Sequence, residues 1–283
     1  MHRNDFEIFH YRDYKPGGVD MHHHDFYEVY FFLGGTVEYR VEGRVYHLQP
    51  GDLLLINPME LHQPIVDPTG DKYDRIVLWI NSSFLEGFSN GDASLSRCFD
   101  PAQSTHSNLL RPSAVQQSDL RLRLESLVRE RYSRAYGSDF CAQGMLLQFM
   151  ALLNRLAISA GGAQKSTEGT TSLSGQVLAY ISEHYDEELS LDSLAQRFYV
   201  SKYHLSHAFS RDVGLSVYHY ITLKRLLIAK QLLMSGIAPG TVASSCGFGD
   251  YANFYRAFKA QYGISPRDCA GSSAEIPRAS AQK

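Results

Sequence analysis

At 283 residues the chain has room for two domains, each with its own core, and its 44% hydrophobic and 20% charged content is that of a globular protein. No run of 18 apolar residues exists, and the polar, mixed-charge opening "MHRNDFEIFHYRDYKPGG" has no signal-peptide pattern, so neither a transmembrane span nor a secretory signal is expected. The net charge of −3 is uneven: residues 172–283 carry 11 Lys and Arg against 9 Asp and Glu, leaving −5 for the first 171.

Residues 1–18, rich in aromatics, are expected to form an arm able to close over an occupied pocket. Then "MHHHDFYE" (21–28) sets three histidines ahead of a glutamate, too far into the chain to be a terminal tag. From residue 26 to about 80 the text is strand-like: "FYEVYFFL", "TVEYRVEG", "RVYHLQPG", "DLLLINP" and "DRIVLWIN", punctuated by Gly34-Gly35, Gly43 and Pro50-Gly51. That spacing predicts a small antiparallel barrel or sandwich. If strand alternation extends back through the histidines, His22, His24, Glu28 and Tyr30 share the interior face and His23 faces out.

After Pro112 the period becomes helical. Leu120, Leu124, Leu127 and Val128 predict a helix over about 118–135 capped by Ser118 or Asp119, and a second follows over about 140–158. Leucines beside Arg121, Arg123 and Arg129 suit either a cover for the barrel or a dimer interface. The Gly/Ser/Thr-rich stretch after Ile158 reads as a linker over 159–173, giving one domain over 1–158 and another over 174–270. A disordered tail is expected over 271–283. Cys98, Cys141, Cys246 and Cys269 show no CxxC spacing and read as reduced thiols of a cytoplasmic protein.

The second domain contains a repeat. "HAFSRDVGLS" (207–216) and "RAFKAQYGIS" (256–265) share A-F-x-x-x-x-G-x-S at a separation of 49 residues, and Ala195 and Val200 match Ala243 and Phe248 at 48. Each copy has a short helix with a small alanine, a tight turn, then a capped helix. Ser201 caps the first, with Leu205 and Phe209 buried and Gly214 as the stop. Asp250, Phe254, Phe258 and Gly263 do the same in the second. This is helix-turn-helix grammar, whose second helix enters a DNA major groove. Between the copies one helix of about 18 residues spans roughly 27 Å, near the ~34 Å between successive groove faces.

The stretches "SLAQRFYVSKYHLSHAF", "GLSVYHYITLKRLLIAKQLL" and "VASSCGFGDYANFYRAFKAQYGISP" resemble the DNA-binding domain of the AraC/XylS family of transcription regulators. The strand text, with His22, His24, Glu28, Gly35 and "PGDLLLINPMELH" (50–62), resembles the cupin-type barrel that commonly precedes it. The fold expected is therefore an all-β cupin-type barrel followed by helices, then an all-α double helix-turn-helix domain joined by a linker helix. The resemblance puts base reading at Tyr203, Ser206, His207, Tyr251, Asn253 and Arg256. Lys202, Arg211, Lys224 and Lys259 are assigned to phosphates. Arg225 is left between a structural role and a phosphate contact.

For the barrel three readings stand: a small-ligand pocket, a metal site, or inherited structure with neither. The ligand residues are His22, His24, Glu28, Tyr30 and His62. A divalent metal would use His22, His24, Glu28 and His62, although Pro58-x3-His62 is one residue shorter than the usual enzyme pattern. The implied molecule is a non-enzymatic, ligand-responsive transcription regulator with no required cofactor; the alternative is a metal-binding cupin, either a metal-dependent sugar-modifying enzyme or a metal-responsive regulator. Its partners would be operator DNA with half-sites, a small effector of carbohydrate type, a second copy through residues 118–158, and RNA polymerase. No membrane partner is expected.

Overall fold

The computed structural model describes residues 1–272, apart from 2, 15–17, 59, 68, 71, 89, 91–92, 104–105 and 162–171. The chain separates into two compact units that divide at residue 170.

Among the described residues the first unit has eight strands: β1 (Phe6–Asp13), β2 (Phe26–Gly34), β3 (Val37–Val41), β4 (Arg44–His47), β5 (Leu53–Ile56), β6 (His62–Val66), β7 (Tyr73–Asn81) and β8 (Leu109–Leu110). They form a five-stranded sheet in the order β1-β7-β2-β5-β8 and a three-stranded sheet in the order β4-β3-β6, with antiparallel pairing. The large sheet is covered on both faces, so β2 reads as a nearly unbroken apolar run. Its Tyr27, Val29 and Phe31 join Leu55, Ile76 and Leu78 in a core shared with the helices. Its Tyr30 and Phe32 point the other way, against Tyr39, Val41 and Tyr46 of the small sheet.

Helical elements follow or interrupt the strands: α1 (Ser82–Glu86), a 3-10 turn (Arg97–Phe99), α2 (Ala114–Arg131) and α3 (Ser138–Gly161). The start of α2 lies four residues ahead of the expected one. Ser113 accepts from the Gln116 amide while the Gln116 side chain takes the Ser113 N–H, a reciprocal cap. Ser118 instead donates to the Ala114 carbonyl and Asp119 accepts from Arg123. Segment Ser138–Ala160 of α3 has a mean hydropathy of 1.3 and the length to cross a bilayer. Its Ala142, Leu146, Phe149, Met150 and Leu153 are buried in the same core as Leu120, Leu124 and Leu127 of α2, which accounts for the apolar stripe.

Three strands escaped the sequence reading: β1, β6 and β8. The first corrects the expectation of an arm over 1–18 free to close over a pocket. Residues 6–13 pair continuously with β7, from Phe6 opposite Ile80 to Asp13 opposite Tyr73. Arg131 fastens the start of the strand. Its Nη2 donates to Asp5 Oδ1 at 2.5 Å and to the Phe6 carbonyl at 2.6 Å, with the guanidinium 4.2 Å over the Phe6 ring.

The second unit contains α4 (Leu173–Glu183), α5 (Leu191–Arg197), α6 (Lys202–Val213), α7 (Val217–Met234), α8 (Pro239–Ser245), α9 (Tyr251–Tyr262) and α10 (Pro266–Ser272). The expected linker therefore loses residues 159–161 to α3 and residue 173 to α4, and 162–171 lie outside the described residues. Of the expected tail, 271–272 belong to α10 and 273–283 lie outside the described residues.

Candidate functional site

Each capping residue read from the repeat is in place. Ser201 accepts from the His204 amide and Asp250 from the Asn253 amide, while Gly214 (φ 78°) and Gly263 (φ 73°) take the left-handed stop. Leu205, Phe209, Phe254 and Phe258 are fully buried, and Ala195 and Ala243 nearly so. The two turns share their hydrogen bonds. Tyr199 N donates to Gln196 O as Gly247 N does to Ser244 O, and Val200 N to Ala195 O as Phe248 N does to Ala243 O. The repeat is therefore a duplication of geometry as well as of letters.

With the apolar stripes of α6 and α9 turned inward, the opposite faces are free to meet a groove. Lys202, Tyr203, His207 and Arg211 are exposed on α6, and Tyr251, Asn253, Arg256 and Lys259 on α9; Ser206 and Lys224 are half-buried. Several of these side chains already hold one another. Arg256 Nη2 donates to Asn253 Oδ1 at 2.6 Å, and Asn253 Nδ2 donates to Asp250. Lys202 pairs with Asp192, and Arg211 with Asp212 at 2.8 Å. Arg225 resolves to a structural role. It donates to the carbonyls of Tyr185 (2.7 Å) and Glu187 (2.6 Å) beyond α4, and burial lowers its pKa. Gly247 makes room for it, since a Cβ there would lie 2.9 Å from Arg225 Nη2.

In the first unit the structure gathers His24, Glu28 and His62, whose ligand atoms all lie within 4.8 Å of one another. His24 Nδ1 lies 2.9 Å from the Phe26 carbonyl and its Nε2 lies 3.1 Å from Glu28 Oε2. Both partners are acceptors, so the contact between Nε2 and the Glu28 carboxylate needs a proton or a cation between them. Trp79 Nε1 donates to the same Glu28 oxygen at 2.8 Å. His62 Nδ1 is tied to the Glu60 carbonyl at 2.8 Å, whereas its Nε2 is buried with no hydrogen-bond partner among the described residues. Burial drives the His62 pKa down to about 3, against the pull of the Glu28 charge. Burial alone would raise the Glu28 pKa; the hydrogen bonds to His24 and Trp79 outweigh it and hold the carboxyl below its ordinary range.

Two histidines depart from the alternation. Strand β2 starts only at Phe26, so its parity does not reach residues 21–25. His22 forms a two-bond bridge with the His62 backbone, and its ring lies 4.3 Å from the His62 ring with Nδ1 turned to the Asp20 carbonyl. It stands beside the three-residue cluster and outside it. His23 does not face water through its nitrogens, both of which are buried. Tyr30 does point between the sheets, but its hydroxyl is bonded to that of Tyr73 at 2.5 Å.

The structure adds residues that the sequence reading passed over. Phe9, Tyr11 and Trp79 are partly exposed on the face of the large sheet that carries Glu28 and Tyr30. Phe9 stacks on Tyr11 at 5.5 Å and meets Trp79 edge-on at 5.1 Å, while Phe26 continues the row at 5.2 Å from Trp79. Together they make an aromatic shelf that starts at the imidazole–carboxylate cluster. Trp79, the chain's one tryptophan, lies directly opposite Glu28.

Comparison with known proteins matches residues 6–134 to an AraC-like ligand binding domain and residues 194–271 to a helix-turn-helix domain. The HTH-type transcriptional activator RhaS of Salmonella arizonae is 26% identical over 262 residues, covering 91% of this chain and 89% of that protein. RhaS of Citrobacter koseri is 24% identical, covering 87% and 86%. Among solved structures, apo ToxT from Vibrio cholerae aligns with 95% of this chain and 98% of its own, at 13% identity and a TM-score of 0.40.

Proposed function

The chain belongs to the AraC family of transcription regulators, and on that premise we propose that it is a homodimeric activator whose strand-built unit senses a small carbohydrate. DNA binding through the helix-turn-helix unit and ligand binding through the first unit come with the family; the effector class, the base contacts and the dimer are our reading. The chain is a regulator and not an enzyme. The carbohydrate reading rests on one observation: a buried carboxylate and imidazoles stand at the end of a partly exposed aromatic shelf. Polar donors and acceptors bind hydroxyls, and ring faces take the C–H faces of a sugar.

On the DNA side, α6 and α9 each enter a major groove, and α7, at about 27 Å, separates them by nearly one helical turn. Tyr203, Ser206, His207, Tyr251, Asn253 and Arg256 then face base edges, and Lys202, Arg211, Lys224 and Lys259 face phosphates. RNA polymerase is the partner that activation requires.

The test pairs two measurements on the full chain. A thermal-shift screen with mono- and disaccharides is expected to give a saturable rise that His24→Ala removes. A mobility shift on the chain's own upstream region is expected to show salt-dependent, sequence-specific retention that the same variant keeps. A saccharide shift that survives His24→Ala would reject the pocket.

The approach of His24, Glu28 and His62 favours one second reading, a metal-responsive regulator. His62 Nε2 offers a free lone pair, and its Nδ1 is held by a carbonyl as in ligated histidines. His22, named as a fourth ligand, is not within that group. DNA retention abolished by a chelator and restored by Zn²⁺ would select this reading over the carbohydrate.

A further inference from the structure

The shelf has a charged residue at each end. The β2–β7 register places Trp79 opposite Glu28 and Arg75 opposite Phe32, so Arg75 shares the face of Glu28 and lies four residues along the strand, about 13 Å away. Tyr11 of β1 lies directly opposite Arg75. The guanidinium sits 3.8 Å over the Tyr73 ring and 4.9 Å from the Tyr11 ring, so its faces are occupied and its edges decide what it binds.

Only one of those edge nitrogens is used. Nη1 donates to Asp13 Oδ2 at 2.6 Å and weakly to the Tyr73 carbonyl at 3.5 Å. Nε and Nη2, the pair that grips a carboxylate side-on, have no hydrogen-bond partner among the described residues. The side chain is 16% exposed, and neither nitrogen is buried, so this edge is open to a ligand that displaces water from it. At the other end the buried Glu28 carboxylate repels any anion brought beside it. A cation and an anion fixed at opposite ends of an aromatic floor select a polarised ligand, hydroxylated at one end and acidic at the other.

Building on the carbohydrate reading above, we propose that the effector is an acidic sugar, a uronate or aldonate. Its carboxylate takes the Nε/Nη2 edge of Arg75 in a bidentate pair, its C–H face lies on Phe9 and Trp79, and its hydroxyls reach His24 and Glu28. A six-carbon skeleton with one hydrogen bond of about 2.8 Å at each end covers a gap of that order. Asp13 need not leave, because it holds the other edge of the guanidinium.

The test is calorimetric titration of the full chain with galacturonate, glucuronate and gluconate beside galactose and glucose. At least one acid is expected to bind tenfold or more tightly than its neutral counterpart. Arg75→Met is expected to erase that preference while leaving the melting temperature of the free protein within a few degrees. As a second variant, Asp13→Asn keeps the strand and removes a negative charge from beside the Arg75 guanidinium, and is expected to tighten the acid and leave the neutral sugar unchanged. Equal affinity for acid and neutral sugar, or a preference that survives Arg75→Met, overturns the acidic-sugar inference and leaves the carbohydrate reading standing. Absence of heat with every saccharide, while specific DNA retention persists, overturns both.

Discussion

Tyr199 and Gly247 occupy the same corner of the two helix-turn-helix units, and both have positive φ, 55° and 73°. The glycine is required twice over. Its conformation is left-handed, and a Cβ would lie 2.8–2.9 Å from the Asp186 and Tyr185 carbonyls. The tyrosine bears the conformational strain alone, with its side chain 96% exposed. Left-handed backbone costs a non-glycine residue on the order of 1 kcal/mol, partly offset by the entropy a glycine would lose. Tyr199→Gly should therefore stabilise the helical unit by roughly 0.5 kcal/mol, and Gly247→Ala should destabilise it by more than about 2 kcal/mol. Calorimetric melting of the full chain reads both; equal shifts would contradict the difference between the corners. His62 supplies a second residue-scale prediction. Its ring is buried neutral with a pKa near 3 against about 6.5 unfolded, so below pH 6.5 the unfolded chain takes up the proton first. Stability from this group is complete above about pH 6.5 and drains as pH falls towards 3. Urea midpoints measured from pH 7.5 to 4 should decline in the wild type and decline less in His62→Gln. Parallel curves would mean that the ring already titrates normally.

At the scale of elements, α6 and α9 are autonomous modules: cap, buried stripe and glycine stop all fall within 15 residues. Their outward faces differ in how ready they are. On α9, Arg256 is held by Asn253, which is held by Asp250, so reading a base means exchanging those internal bonds for base edges. If Arg256 makes a bidentate pair with guanine, Arg256→Ala should cost about 1–3 kcal/mol and relax specificity at one position. Lys259→Ala should weaken binding to all sequences alike and lower the salt slope by about one. Uniform weakening by both variants, measured on single-base operator variants, would put Arg256 among the phosphate contacts. The same modularity explains what the sequence made legible. Ser201, Gly214, Asp250 and Gly263 signal their roles to neighbours three or four residues away, so the helical unit could be read locally. The proposed effector site could not. Its shelf comes from β1 and β7, more than 60 residues apart, and its cluster from β2, the segment just ahead of it, and β6. No local rule shows that Phe9 will lie beside Trp79, and alternation carried back from β2 failed where the strand starts, at Phe26. The start of α2 was misplaced for a related reason: Ser118 and Asp119 are as good caps as Ser113, and only the reciprocal bond with Gln116 decides.

For the whole molecule, the question is what the helices of the first unit do beyond completing its core. The inward side of α2 is spent on Leu120, Leu124 and Leu127, yet Val115 and Leu122 are 82% and 62% exposed, one heptad apart on the opposite side. Arg121 bonds Glu125 and Arg123 bonds Asp119 on the same helix, at 2.9 and 2.8 Å, so these charges are neutralised locally beside the apolar positions. An apolar pair bordered by internally matched charges suits a second copy of the same helix better than a solvent face. A dimer brings two helical units, hence four recognition helices, to one operator, and the linkage multiplies half-site affinities without any new base contact. Leu122→Asp puts two like charges into that seam and is expected to convert the protein to a monomer in sedimentation experiments. Because the position is exposed, the melting temperature should stay within a few degrees. Affinity for an operator with two half-sites should then fall by 10²-fold or more, while affinity for a single half-site and for the effector stays unchanged. A monomeric variant that still binds the full operator at wild-type strength would mean that one chain's two helix-turn-helix units occupy the whole site. In that case α2 would serve the barrel alone, and the response to effector would have to arise within a single chain.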